Sequence, residues 1–458
     1  MPDVPPAAVP AADPSRRRDL AVAAAVAHDL LDDEHPLIGL LDLQDLRERA
    51  SALHAAFDEV TAPGQHVLHT FAVKAAALPA VLRRLAALGI GAEVASPGEL
   101  ALAHAAGLDP ARIVLDSPAK TRTELRTALR QGIALNADNP QELDRLTELL
   151  ATGTGTGADP GPGPGGAHGP IGIRVNPQLG GGSIDAMSTA TATSKFGVPL
   201  RDEGGRAWVL RAFAERPWLT RLHCHTGSQG IPLERMAAGV RATYELAEEI
   251  NTAAGRRQID TLDIGGGLPV HFGGDETAPT FADYARLLRR EVPGLFDGRY
   301  ALVTEFGRSL LAKSGLILTR VEYTKTAGGR PIAVTHAGAQ VATRTVFAPD
   351  AWPIRVAAYD AKGRPKTGTP VRQDVAGPCC FAGDLVARDR ALPPLAPGDL
   401  AALLDTGAYY FSTPFGYNSL PRPAVHGYEP GPDGRLGFTV LRRAQTLAEV
   451  VAEAGGDL

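Results

Sequence analysis

Lysine, histidine, arginine, carboxylate and triple glycine each close a short apolar run in this 458-residue chain. The run that begins at Val67, after a Pro63-Gly64 turn signal, is β-branched and aromatic and delivers Lys74 at its carboxyl end. Taken alone, such a lysine is most simply one that has reached the surface where a strand stops. Later runs end on Glu93, on Arg174, on His223-Cys224-His225, on Gly265-Gly266-Gly267, and on Glu305 followed by Arg308. Three successive glycines let backbone N–H groups approach an anion closely, and the Ser228 hydroxyl could donate to the same anion. The run lacks the G-x-G-x-x-G order and downstream acid of a dinucleotide site. His223 and His225, at i and i+2, could instead hold a metal, but no third and fourth ligands stand at matching strand ends. No metal is expected. A lysine near a phosphate-sized anion site, with a carboxylate to spare, is what pyridoxal 5′-phosphate requires.

The elements that must carry these residues alternate along the chain. Strands are expected at Val67–Val73, Gly91–Ala95, Arg112–Asp116, Ile133–Asn136, Ile171–Val175, Leu219–Cys224, Thr261–Ile264 and Ala301–Glu305. Between them lie helical patterns such as Leu78, Val81, Leu82, Leu85 and Leu88, and a helix over Thr121–Gln131 that Gly132 would end. Eight strand–crossover repeats predict an α/β fold, a (β/α)8 TIM barrel over residues 40–310, in preference to a doubly wound sheet. Its strand ends would share one mouth, where the polar residues converge. Residues 151–169, nearly all Gly, Pro, Thr and Ala, read as a low-complexity, flexible insert. After Arg308 the rhythm changes. Short segments at Ile317–Tyr323, Ile332–His336, Ile354–Tyr359, Val371–Ala376, Leu400–Leu404 and Gly437–Leu441 predict a C-terminal, mainly antiparallel β domain over 311–458. Residues 18–39 could join it, and the Pro/Ala-rich residues 1–17 read as a disordered leader.

Composition sets outer limits. With 44% apolar and 21% charged residues the chain is globular in character, and a net charge of -5 argues against nucleic acid as a partner. No apolar stretch is long enough for a membrane span. Three cysteines, two of them adjacent at Cys379 and Cys380, make no disulfide framework, so a cytoplasmic location is expected.

Seven motifs in order carry a resemblance. They are Phe71-Ala72-Val73-Lys74-Ala75, Glu93-Val94-Ala95-Ser96-Pro97-Gly98-Glu99-Leu100, His225-Thr226-Gly227-Ser228-Gln229, Asp263-Ile264-Gly265-Gly266-Gly267, Glu305-Phe306-Gly307-Arg308, Gly377-Pro378-Cys379-Cys380 and Gly407-Ala408-Tyr409. Together they resemble the alanine-racemase-fold (fold type III) pyridoxal-phosphate decarboxylases that act on diaminopimelate, ornithine, lysine and arginine. The resemblance implies that Lys74 carries the cofactor as a Schiff base and that His225 stacks on its ring. It implies that Ser228, Gly265–Gly267, Arg308 and Tyr409 hold the phosphate, that Glu305 pairs with the pyridine nitrogen, and that Arg174 lies near the ring hydroxyl. Glu93 and Glu99 match family acidic positions. Cys380 would enter from the partner subunit of a head-to-tail homodimer with shared active sites, and would protonate the carbanion left by CO2. A carboxylate at the ring nitrogen makes a strong electron sink, and so points to decarboxylation rather than racemisation.

Two departures bear on substrate. Phe381 stands where the diaminopimelate and ornithine branches carry an acid that reads the distal amino group, a contact worth roughly 1.5–3 kcal/mol. Phe306 replaces the proline of the Glu-Pro-Gly-Arg motif. Arg344 stands where the diaminopimelate branch has a substrate-carboxylate arginine, without the tyrosine that follows it there. The run Ser188–Gly197, the Cys379-Cys380-Phe381 triplet and the Glu305–Arg308 motif most resemble the bacterial D-ornithine/D-lysine decarboxylases. The expected reaction is therefore decarboxylation of D-lysine or D-ornithine to the polyamine precursors cadaverine or putrescine. The alternatives are meso-diaminopimelate decarboxylation, decarboxylation of a modified biosynthetic amino acid, and a non-catalytic homologue that binds a partner protein.

Overall fold

The computed structural model describes residues 14–152 and 168–456, so most of the expected insert at 151–169 and residues 1–13 of the expected leader lie outside the described residues. The chain divides into two compact units. One holds residues 49–270 and 277–310. The other holds 1–48, 271–276 and 311–458.

The first unit is a closed barrel. Its strands are Val67–Ala72, Gly91–Val94, Ile113–Leu115, Ala134–Ala137, Ile171–Asn176, Leu219–His223, Thr261–Asp263 and Ala301–Phe306. All neighbouring pairs are parallel, and the last strand pairs with the first while the fourth pairs with the fifth, which leaves no free edge. Helices cross between the strands, and their starts are written in the sequence. Ser96 caps Pro97–Ala105, Asn139 caps Pro140–Ala151, and Thr121 with Glu124 and Thr280 with Asp283 form reciprocal capping boxes. Gly132 ends the third of these crossovers in the left-handed conformation, at φ 72°. Phe306 finds its reason here. Its fully buried ring packs against Phe57, Phe281 and Tyr284 with centroids 5.1–6.3 Å apart, so it fills the layer between barrel and helices.

The second unit is a β sheet with a helix against it. Its central strand, Gly315–Ala327, pairs with Leu37–Asp42, with Arg330–Thr335 and with Leu400–Leu404, all antiparallel. Val371–Ala376 and Leu385–Leu392 extend one side, and Ala424–Pro430 and Leu436–Arg442 the other. The sheet is mainly antiparallel, with parallel pairings at Leu37–Asp42/Ala424–Pro430 and Arg330–Thr335/Val371–Ala376. Because Leu37–Asp42 is hydrogen-bonded on both sides inside this sheet, the expected barrel boundary at residue 40 is replaced by one near residue 49. The helix Pro14–Ala27 packs Ala21, Val22 and Ala25 onto Ile38, Leu40, Leu316, Leu318 and Tyr359. It begins inside the segment read as a leader, and its Arg17 is fully buried, 2.8 Å from Asp42. Among the described residues no helix is long and apolar enough to cross a membrane.

Removing one partner of a buried ion pair strands the other charge in a low-dielectric interior. Arg17→Ala is expected to lower the unfolding free energy by about 3 kcal/mol, read from urea unfolding. Loss of less than about 1 kcal/mol would mean that Asp42 finds water or another donor.

Candidate active site

The first barrel strand stops at Ala72, and a single 3-10 turn, Val73–Ala75, turns Lys74 out at the mouth. Its backbone is thus just past the expected strand. The Lys74 ammonium donates to Glu93 Oε2 at 2.5 Å. Glu93 belongs to the neighbouring strand and is buried, whereas the Lys74 side chain is half-exposed. Burial raises the Glu93 carboxyl above its ordinary range, and Lys74 opposes that shift. Glu99, the other expected acid, is used locally: its Oε2 accepts the Ala95 N–H at 2.7 Å.

Across the barrel, His225 lies in the loop beyond the sixth strand. Its Nδ1 accepts the Gly266 N–H at 3.2 Å, which assigns the ring proton of the neutral imidazole to Nε2. Burial first, then Arg174 and Lys74, hold this imidazole well below its usual range, so it stays neutral. The glycine run follows the seventh strand. Gly265 and Gly267 have φ of +66° and +89°, and a Cβ at Gly266 would collide with the Glu305 carbonyl oxygen. The Gly265 N–H is spent on Asp263 Oδ1 and the Gly266 N–H on His225. The run is therefore tied into the barrel. Ser228 follows His225 in the same loop, and its backbone N–H donates to Met187 O.

Glu305, on the eighth strand, is buried with Oε2 3.7 Å from His225 Nδ1 and 3.6 Å from His223 Nε2. Its carboxyl is raised well above the ordinary range, first by burial and then by Asp263, Asp116 and Glu93. Arg308 is buried at the start of the short helix Arg308–Leu311 that follows. Arg174, on the fifth strand, lies 4.0 Å from Asp138 and stacks on Phe196 at 4.4 Å. The barrel thus brings together Lys74, Glu93, Arg174, His225, Gly265–Gly267 and Glu305, with Ser228 and Arg308 on adjoining segments.

The expected residues Arg344, Cys380, Phe381 and Tyr409 belong to the other unit. Cys380 is exposed, and its backbone N–H donates to Asn418 Oδ1 at 2.8 Å. Phe381 stacks on Phe347 at 5.6 Å and meets Tyr417 edge-on. The Arg344 guanidinium lies over the Tyr409 ring at 4.5 Å and the Trp352 ring at 5.0 Å. Its Nη1 is buried with no hydrogen-bond partner among the described residues.

Sequence reasoning passed over Asp116, Asn136 and Asp138, which lie at or just past the ends of the third and fourth strands. Asp116 faces His223, and Asn136 donates to Asp116 at 3.2 Å. Ligand-capable atoms of His223, His225 and Glu305 fall within 4.8 Å of one another. Since His225 Nδ1 is already an acceptor for Gly266, that grouping is more simply a hydrogen-bonding cluster around one acid.

The residues fit pyridoxal phosphate on the structure's own terms. Glu305 Oε1 is buried without a donor, which a protonated ring nitrogen would supply. The glycine run packs its backbone against Cys224, Gly227 and Glu305 where any Cβ would collide, and Lys74 reaches the mouth. Fold and site define an amino acid lyase with its cofactor on the barrel. A family model described as "Pyridoxal-dependent decarboxylase, pyridoxal binding domain" matches residues 43–312. The diaminopimelate decarboxylase of Pseudomonas aeruginosa is 34% identical over 89% of this chain and 90% of its own length. That of Aquifex aeolicus is 31% identical over 83% of each. The Helicobacter pylori diaminopimelate decarboxylase, solved with L-lysine, superposes with TM-score 0.79 at 26% identity over 94% of this chain and 99% of that one. The chain belongs to the pyridoxal-dependent decarboxylases of basic amino acids, resembling diaminopimelate decarboxylase, and its cofactor is pyridoxal phosphate.

A pH dependence follows from Glu305. Its folded-state value is raised above the 4.5 of an ordinary glutamate, so between those values the folded chain binds more protons than the unfolded chain. Stability of the cofactor-free protein therefore falls as pH rises through that window. Glu305→Gln should flatten the fall in a series of thermal unfolding curves. An unchanged slope would place the titration elsewhere.

Proposed function

We propose that this enzyme removes the carboxyl group from the D-configured centre of a basic amino acid, with meso-diaminopimelate the first candidate substrate. The observation that carries this choice is Arg344. A guanidinium held between two aromatic rings, with a buried Nη1 that has no hydrogen-bond partner among the described residues, lacks only a carboxylate. The distal carboxylate of diaminopimelate is such a ligand. The curated relatives named diaminopimelate decarboxylase support the same reading.

A second reading keeps D-lysine or D-ornithine, giving cadaverine or putrescine. It is supported by the run Ser188–Gly197, the Cys379-Cys380-Phe381 triplet and the Glu305–Arg308 motif, which resemble those of the D-ornithine/D-lysine decarboxylases.

When bound, pyridoxal phosphate supplies the electron sink that takes up the pair released as CO2 departs. The chain does the rest. Lys74 tethers the cofactor covalently, and Glu93 keeps the lysine nitrogen oriented until then. Gly267, Ser228, Arg308 and Tyr409 would hold the phosphate, while Gly265 and Gly266 shape the loop. His225, neutral and fixed by Gly266, would cover one face of the ring. Arg174 would lie near the ring hydroxyl. Glu305 would hold a proton on the ring nitrogen. Cys380, contributed by the partner of a homodimer, delivers a proton to the reacting carbon. We place the enzyme in the cytoplasm, from its cysteine usage.

A decarboxylation assay across meso-diaminopimelate, D- and L-lysine, and D- and L-ornithine separates the readings. Turnover of meso-diaminopimelate at least about tenfold above D-lysine, lost in Arg344→Leu through a higher KM, is the expected outcome. Faster release of CO2 from D-lysine or D-ornithine, insensitive to Arg344→Leu, would replace it with the second reading.

A further inference from the structure

His223 ends the sixth barrel strand and is fully buried. Its Nδ1 lies 3.3 Å from Asp116 Oδ2 and its Nε2 3.6 Å from Glu305 Oε2, so one imidazole stands between two carboxyls, both ring nitrogens buried and without a formed hydrogen bond among the described residues. Asp116 is itself anchored. Asn136 Nδ2 donates to it and reaches Asp263 at 3.4 Å, and Arg221 pairs with Asp263 at 2.9 Å. Five strands thus supply a polar network below the barrel mouth.

Such a network is costly. Each buried ionisable group gives up its hydration, and aliphatic side chains would fill the same layer without that cost. Asp263 has a second task in anchoring the Gly265 N–H, but Asp116, Asn136 and His223 carry no role in the proposed phosphate site or in the tether. What the network does touch is Glu305. One carboxylate oxygen each of Asp116, Asp263 and Glu305 lies within 4.8 Å of the others, close enough that these buried acids favour holding a proton among them. Glu305 faces Asp116, Asp263, Glu93, His223 and His225, and Arg174 and Lys74 are the cations of the same mouth.

We infer that Asp116 and His223 are positioning residues which hold Glu305 toward the cofactor's ring nitrogen and keep one proton stored between Glu305 and Asp116 for transfer to that nitrogen. The step balances: the O–H bond of the stored proton breaks, an N–H bond forms at the ring nitrogen, and the carboxylate left behind faces the resulting cation. Burial and the neighbouring acids favour the protonated form of Glu305. Asp116 is shifted toward its ionised form, burial notwithstanding, by His223, Glu305, Lys120 and Arg174. The inference rests on the pyridoxal-phosphate reading.

The test compares pyridoxal phosphate with its 1-deaza analogue, in which C–H replaces the ring nitrogen. Wild-type apoprotein should prefer the natural cofactor by about tenfold or more, the size of one charge-assisted hydrogen bond. In His223→Gln and Asp116→Asn that preference should shrink severalfold while both ligands still bind. A role in packing alone would weaken both ligands equally, and an unchanged ratio in both variants would overturn the inference. Wild-type protein gives a second readout should the variants fail to fold. At alkaline pH, where the free ring nitrogen carries no proton, calorimetry in buffers of different ionisation enthalpy should show equal proton uptake for the two ligands. Uptake of one extra proton with the natural cofactor would mean that the proton comes from solvent, and would overturn the store. Failure of wild-type protein to bind either ligand would overturn the cofactor reading and this inference with it.

Discussion

Burying Glu305 among other carboxylates is the constraint on which the barrel mouth depends. An acid at that depth cannot ionise without a compensating positive charge, and the neighbouring Asp116, Asp263 and Glu93 raise the cost further. Protonation satisfies the group when nothing faces it, and under the proposed function a pyridinium would satisfy it with the cofactor in place. Binding and charge placement would then be one event, which is how a protein can tune the electronics of a cofactor whose organic chemistry is its own.

The surrounding structure serves that event. Parallel strands deliver their polar residues to one end because every strand runs the same way, and the closed hydrogen-bond ladder fixes their spacing. The glycine run is held by Asp263 and His225, so the loop proposed to face the phosphate is also the clamp that sets the neutral tautomer of His225. Phe306, a departure from the family motif, adds ring packing behind the strand that carries Glu305.

Much of this was legible in the sequence, for identifiable reasons. Strands buried on both faces read as apolar runs, and all eight barrel strands were visible that way. Leu37–Asp42 was not, because its partners, Gly315–Ala327 and Ala424–Pro430, lie far along the chain and no local pattern announces the pairing. Lys74, Glu93, Arg174, His225 and Glu305 followed from asking what stands at each strand end. The same question applied to Arg112–Asp116 and Ile133–Asn136 would have reached Asp116 and Asn136, each the final residue of an expected strand. His223 was seen but read as half of a metal pair, since only the fold reveals an acid on either side of it. The far end of the substrate is the least legible part, because Arg344 and Phe381 pull in different chemical directions and sit in a different unit from the barrel.

The central claim is that Lys74 carries the cofactor, with Glu93 and Glu305 on the two strands that flank its own. Borohydride reduction of the holoenzyme, followed by proteolysis and mass spectrometry, tests it most directly. The account predicts loss of the cofactor's visible absorbance and a reduced pyridoxyl group on the peptide containing Lys74, in stoichiometric yield. An unmodified Lys74 peptide, with the pyridoxyl group on another lysine or on none, would contradict it.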